Sequence, residues 1–200
     1  MGLGIATLGY GFLLTQWAGG GIIAAPVLAY GFYLASRTNK RFLAAAVSAL
    51  LMLPYSVLLL LDLFARLEVF SFNTFNQDAV YYRIMHSLFL LAWISMSYYY
   101  LTAIKQIAED NNSKKLRSKA SNRHYLTQII LIGSFCLIIF ENIITPEIPA
   151  FFFVMQYVII IINVLFLHTC FILITTERQY ERDKRKIAKE EDKRRKKDKD

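Results

Sequence analysis

Charge is what this 200-residue sequence lacks over most of its length. Residues 105–123 and 176–200 hold 18 of the 23 Lys and Arg and 10 of the 15 Asp and Glu, leaving five basic and five acidic side chains for the other 156 positions. A water-soluble domain needs polar residues on every outward face, and this supply excludes one. Cysteine is scarce too. Cys136 and Cys170 lie eleven and five residues from the basic ends of their apolar runs, about 9 Å apart along a membrane normal, which excludes a disulfide. There is no CxxC, HExxH or GxSxG, and no glycine loop followed by Lys-Ser/Thr to cradle phosphate. No metal site, cofactor or enzymatic chemistry is therefore expected.

What the sequence has instead is apolar length. Residues 42–64, 84–104, 125–144 and 150–175 are each long enough to cross a hydrocarbon core of about 30 Å as helix. In lipid the backbone must satisfy its hydrogen bonds within its own segment, and the alternation of an outer-membrane barrel is missing, so these runs are helices. The fold class is all-α, a polytopic helical membrane protein. Residues 1–36 form its first part, residues 37–175 a four-helix transmembrane region, and residues 176–200 a basic tail.

Residues 1–36 are apolar but carry Gln16 and Trp17, followed by Gly19-Gly20-Gly21. Glycines are poor helix interior, while Trp and Gln suit an interface, so two short helices over 2–16 and 21–36 are expected, each about 22–24 Å long. The alternative is one span over 17–36. The hairpin gives six spans in all and the single helix five. A cleaved signal peptide is not expected, because the amino terminus carries no positive charge.

Orientation follows from Lys and Arg. Connection 37–41 carries Arg37, Lys40 and Arg41; connection 105–123 has six basic and two acidic residues; the tail has twelve and eight. Connections 65–83 and 145–149 show no such excess. Every second connection is basic, which sets that side and the carboxyl terminus in the cytoplasm, in a cell membrane.

Ionisable groups inside apolar runs are the site candidates. Asp62 and Arg66 share a helical face and can pair where their helix leaves the membrane. His86, Glu141 and Asn142 lie at the same depth, so these five residues either end their own helices or line an outward-facing polar vestibule. Asn163, at the centre of the last run, is suited to a hydrogen bond between helices, as are Gln128, Gln156 and His168. Gly21, Ala25 and Ala29, and again Ala45 and Ala49, give smooth stripes for close helix packing. Pro26 and Pro54 should bend their helices. Phe70, Phe72, Phe75, Tyr81 and Tyr82 read as an outer aromatic belt or a lid, and Tyr98, Tyr99 and Tyr100 as the inner belt.

The tail has no Gly or Pro and several Glu-to-Arg pairs four apart, so the last span should continue as a charged helix that frays near its end. Lys114, Lys115, Arg117 and Lys119, with Arg185, Lys186, Arg194, Arg195, Lys196 and Lys197, are the cations expected to meet anionic lipid headgroups or a partner. That partner is a protein, a second copy of the chain, or RNA. Two functions follow. One is an accessory or scaffold protein that recruits a partner through its basic loop and tail. The other is a small-solute transporter or channel entered through the vestibule.

Overall fold

The computed structural model describes the backbone of residues 2–69, 80–139 and 147–197, and the side chains of all but the last part of these, from 174 onward, and Glu147. Glu141, Asn142, Phe70, Phe72 and Phe75 lie outside the described residues, as do the side chains of Arg185, Lys186, Arg194, Arg195, Lys196 and Lys197. The described residues form helices and turns, with no strand among them.

The amino-terminal apolar stretch is a hairpin. Helix α1 (Gly2–Phe12) runs into a 3-10 segment, Leu13–Ala18, and the chain reverses at Gly19 before helix α2 (Gly21–Ala35). Gly19 sits at φ 79°, a left-handed conformation that glycine adopts without steric cost. The arms interlock through their small residues: a Cβ on Gly9 would lie 2.8 Å from the Leu28 backbone nitrogen, so only glycine allows this approach.

The run over 42–64 does not make one helix. Helix α3 (Arg41–Leu50) stops at a turn through Leu51 and Met52, and helix α4 (Leu53–Arg66) begins there. Pro54 sits in the first turn of α4, where its missing N–H costs nothing. Pro26, by contrast, lies inside α2 without interrupting it. Helix α5 (Val80–Asp110) and helix α6 (Lys114–Ile139) extend far into the expected loop 105–123, which shrinks to a three-residue turn with Asn112 at φ 54°. Charged residues are good helix formers, so leaving the apolar region gives these helices no reason to end. Helix α7 (Glu147–Lys197) likewise runs unbroken through 51 residues.

Among the described residues, three stretches are long and apolar enough to cross a membrane: Arg41–Arg66, Val80–Asp110 and Ile148–Leu173. The count is below the six expected. Helices α1 and α2 have only 11 and 15 residues. Helix α6 spends its first turns on polar residues, and its described part ends at Ile139.

The helices pack in a closed circuit. Helix α1 lies on α2, α2 on α3 and α4, these on α5, α5 on α6, α6 on α7, and α7 returns to α1. The α2–α3 and α5–α6 turns mark one end of the bundle, here the basic end. Asn39 ties it together, accepting from the Arg41 backbone N–H at 3.0 Å while its amide donates to Gln106 Oε1 on α5 at 3.0 Å. Large side chains fill the centre of the circuit: Trp93, Tyr10, Tyr100, Phe32 and Phe42 are all fully buried.

Candidate functional site

A cavity of about 650 Å³ opens at the end opposite the basic turns. Its walls come from five regions of the chain: Gln16 and Trp17 from the hairpin turn, Tyr55 from α4, His86 and Phe89 from α5, Ser134 from α6, and Gln156 with Tyr157 from α7. One aromatic stack builds its floor. The His86 imidazole lies parallel to the Tyr55 ring at 4.8 Å, and Tyr55 also meets Tyr82 at 5.5 Å and Phe89 at 5.1 Å. His86 and Phe89 are one helical turn apart, which is why both reach Tyr55. Gln16 is 9% exposed and faces the Tyr157 hydroxyl, yet its Oε1 has no hydrogen-bond partner. A ring stack beside amide and phenol groups gives a flat apolar surface with hydrogen-bonding points at its rim. A pocket with an apolar lining and a few polar groups has the general make-up of a small-molecule site.

Of the five vestibule residues expected from sequence, His86 lines this cavity, together with Arg83, which was not among the five, while Glu141 and Asn142 lie outside the described residues. Asp62 and Arg66 form their ion pair at 2.7 Å, with the Asp62 side chain 12% and that of Arg66 62% exposed. The pair lies outside the cavity wall, near Tyr82. Asp62 lies close to Tyr55 and Tyr82, which do line the cavity, and Tyr55 stacks on His86. Gln16, Tyr55, Gln156 and Tyr157 were not grouped by sequence reasoning. Gln16 and His86 fall near the ends of apolar runs on the side away from the basic connections, but Tyr55 and Tyr157 lie well inside theirs, so the sequence carried no signal that joins all four.

Asn163 donates to Thr127 Oγ1 across α7 and α6 at 3.4 Å, and Gln128 donates to the Ile94 carbonyl at 3.2 Å, so both join helices. The Asn163 Oδ1 is left without a partner. Gln156 faces the cavity and His168 is exposed. Cys136 is exposed and Cys170 buried, both as free thiols. Tyr98 is exposed and Tyr100 buried, so the three consecutive tyrosines do not form one belt.

At the basic end, Lys114, Lys115 and Lys119 stand exposed on the first turns of α6, whereas Arg117 pairs with Glu109 of α5 at 2.9 Å. His124 lies between Tyr98 and Tyr125, and burial together with the nearby Lys105 charge holds its imidazole below the ordinary 6.5. No group of three or more His, Cys, Asp or Glu suited to a metal ion occurs among the described residues. No family model, no curated protein and no solved structure matches this chain.

Proposed function

We propose that this chain is a polytopic membrane protein that takes up a small amphipathic solute through a cavity opening on the non-cytoplasmic side, as the binding step of a small transporter or channel. The cavity carries the reading. Its volume of about 650 Å³ falls within the range of small-molecule sites, roughly 300–1,000 Å³. The basic turns support placing the opposite end in the cytoplasm. In this arrangement Lys114, Lys115 and Lys119 meet anionic headgroups, each contributing about 1 kcal/mol of attraction.

The two tryptophans make the test direct, because Trp17 lines the cavity and Trp93 does not. In Trp93→Phe protein held in nanodiscs, Trp17 emission is titrated with 2-phenylethanol and with longer aromatic alcohols. A saturable change, abolished by filling the cavity with Ala150→Phe, supports solute binding. A linear response that Ala150→Phe leaves unchanged is partitioning into lipid and refutes it.

A second reading is favoured by the continuity of α7, whose backbone carries the last apolar span about 30 Å beyond residue 175 as helix. That rod would present the basic tail of an accessory protein to a cytoplasmic partner. Removing residues 177–200 then abolishes copurification of the partner while insertion persists; a transporter keeps its solute binding after the same truncation.

A further inference from the structure

Below the cavity floor lies a second group of polar side chains, fully enclosed. The Tyr10 hydroxyl from α1 and Ser97 Oγ from α5 are 3.3 Å apart across the centre of the circuit. The Trp93 indole nitrogen and the Tyr100 hydroxyl both approach the Tyr10 hydroxyl, but neither reaches good hydrogen-bonding geometry with it. All four residues have no exposed surface. Leaving a buried indole N–H and a phenol unpaired at one point is unfavourable, because water has been removed from both and nothing replaces it.

Other buried polar atoms also lack partners, namely Gln16 Oε1, His124 Nδ1 and Asn163 Oδ1. Those three lie in different places, Gln16 at the cavity, His124 beside Tyr98 and Asn163 between α7 and α6. At Tyr10 two such groups converge, beside a hydroxyl pair that can both donate and accept. One oxygen placed among them would accept from Trp93 and Tyr100 and donate to Tyr10 or Ser97. That meets the roughly two to four polar partners an enclosed water requires.

The surroundings give this group a direction. His86, Trp93 and Tyr100 are spaced by seven residues, so they descend one face of α5 in steps of about 10 Å. Phe89 separates the two levels: it lines the cavity, meets Tyr55 at 5.1 Å, and meets Trp93 at 5.8 Å on its other side. Toward the basic end the group is sealed. Tyr100 stacks on Phe32 at 5.4 Å, and Phe32 stacks on Phe42 at 6.0 Å.

We propose that Tyr10, Trp93, Ser97 and Tyr100 form an occluded inner subsite for one hydroxyl group, with Phe89 as the partition between it and the outer cavity. The hydroxyl comes from a water molecule or from the head of a solute entering through the cavity. Only the second source rests on the solute-binding reading above.

Trp93 reports on the subsite by itself in Trp17→Phe protein. Ultraviolet resonance Raman spectra of this protein in nanodiscs show whether the indole N–H is hydrogen-bonded. The expected result is a bonded N–H that shifts to the free position in the isosteric Tyr100→Phe and Tyr10→Phe variants. A bonded N–H without added solute that both variants release identifies water, whereas one released only by Tyr10→Phe is a direct bond to the Tyr10 hydroxyl and overturns the proposal. One that becomes bonded only with 2-phenylethanol, and not with ethylbenzene, identifies a solute hydroxyl. A free N–H under all three conditions overturns the proposal, as does a bonded N–H that neither phenylalanine variant changes. The unsubstituted cluster alone decides the first of these, so the proposal stays testable if a variant fails to fold. Failure of the solute-binding reading appears at Trp17 instead, and a water-bonded Trp93 survives it.

Discussion

Gly9 and Gly11 are two residues apart on one helix and should respond to the same substitution with opposite sign. A methyl group on Gly9 would stand 2.7 Å from Leu28 Cγ, 2.8 Å from its nitrogen and 3.1 Å from its Cα, whereas one on Gly11 meets nothing within 4 Å. Ordinary contact begins near 3.4 Å, so Gly9→Ala must push α1 and α2 apart by roughly half an ångström or more, and overpacking of this kind costs about 1–3 kcal/mol. Because two of the three atoms met belong to backbone, the clash is not relieved by a rotamer change. Gly11→Ala incurs no clash and gains helix propensity, up to about 1 kcal/mol. The two variants should therefore differ by about 1–4 kcal/mol. Steric trapping in bicelles measures that difference in unfolding free energy. Equal stabilities would refute the interlocked hairpin, and with it the placement of the adjacent Tyr10 at the bundle centre.

Other consequences follow from single contacts. Arg66→Ala leaves the buried Asp62 carboxylate without its 2.7 Å partner and should cost about 1–2 kcal/mol, more than an exposed pair would. Replacing Asp62 by Ala as well should recover part of that loss; a double variant less stable than Arg66→Ala would contradict it. His124 supplies a pH dependence. Its folded pKa lies below the ordinary 6.5, so on acidification the unfolded chain takes the proton first, and stability falls as pH drops below about 6.5 until the folded form also protonates. The thermal midpoint should decline over that window, and His124→Gln should remove that part of the decline; an unchanged slope would show that His124 is not its source. For Asn163, one 3.4 Å bond set against an unpartnered oxygen implies that Asn163→Leu is neutral or stabilising, by up to about 1–2 kcal/mol. A loss above about 1 kcal/mol in the same bicelle assay would mean that its oxygen has a partner after all.

The parts legible in the sequence were those that composition decides. Charge confined to two segments, and the glycines after Trp17, gave a helical chain with a hairpin at its start. Helix ends were less legible, since Lys114 to Lys119 continue a helix as readily as they form a loop. The centre was harder still. In a soluble helix the buried face is apolar and the outer face polar, but in α5 both are apolar, and the exposed Leu88 and Leu91 look no different from the buried Leu90 and Leu101. Core and lipid-facing positions therefore cannot be separated by hydrophobic pattern. One trace was present: His86, Trp93, Ser97 and Tyr100 are among the residues of α5 that carry polar atoms inside its apolar run, and their spacing places them on one face. The cavity wall draws on five separate regions of chain, and no local pattern could have joined Gln16 to Tyr157.

The account depends on the cavity and the basic turns lying on opposite sides of a bilayer. Single cysteines at Trp17 and at Lys119, placed in Cys136→Ser, Cys170→Ala protein, can be challenged in sealed vesicles with a membrane-impermeant maleimide. Each should be labelled from one side only, and the two sides should differ, with Lys119→Cys reached from the cytoplasmic face. Labelling of both positions from the same face would contradict the account.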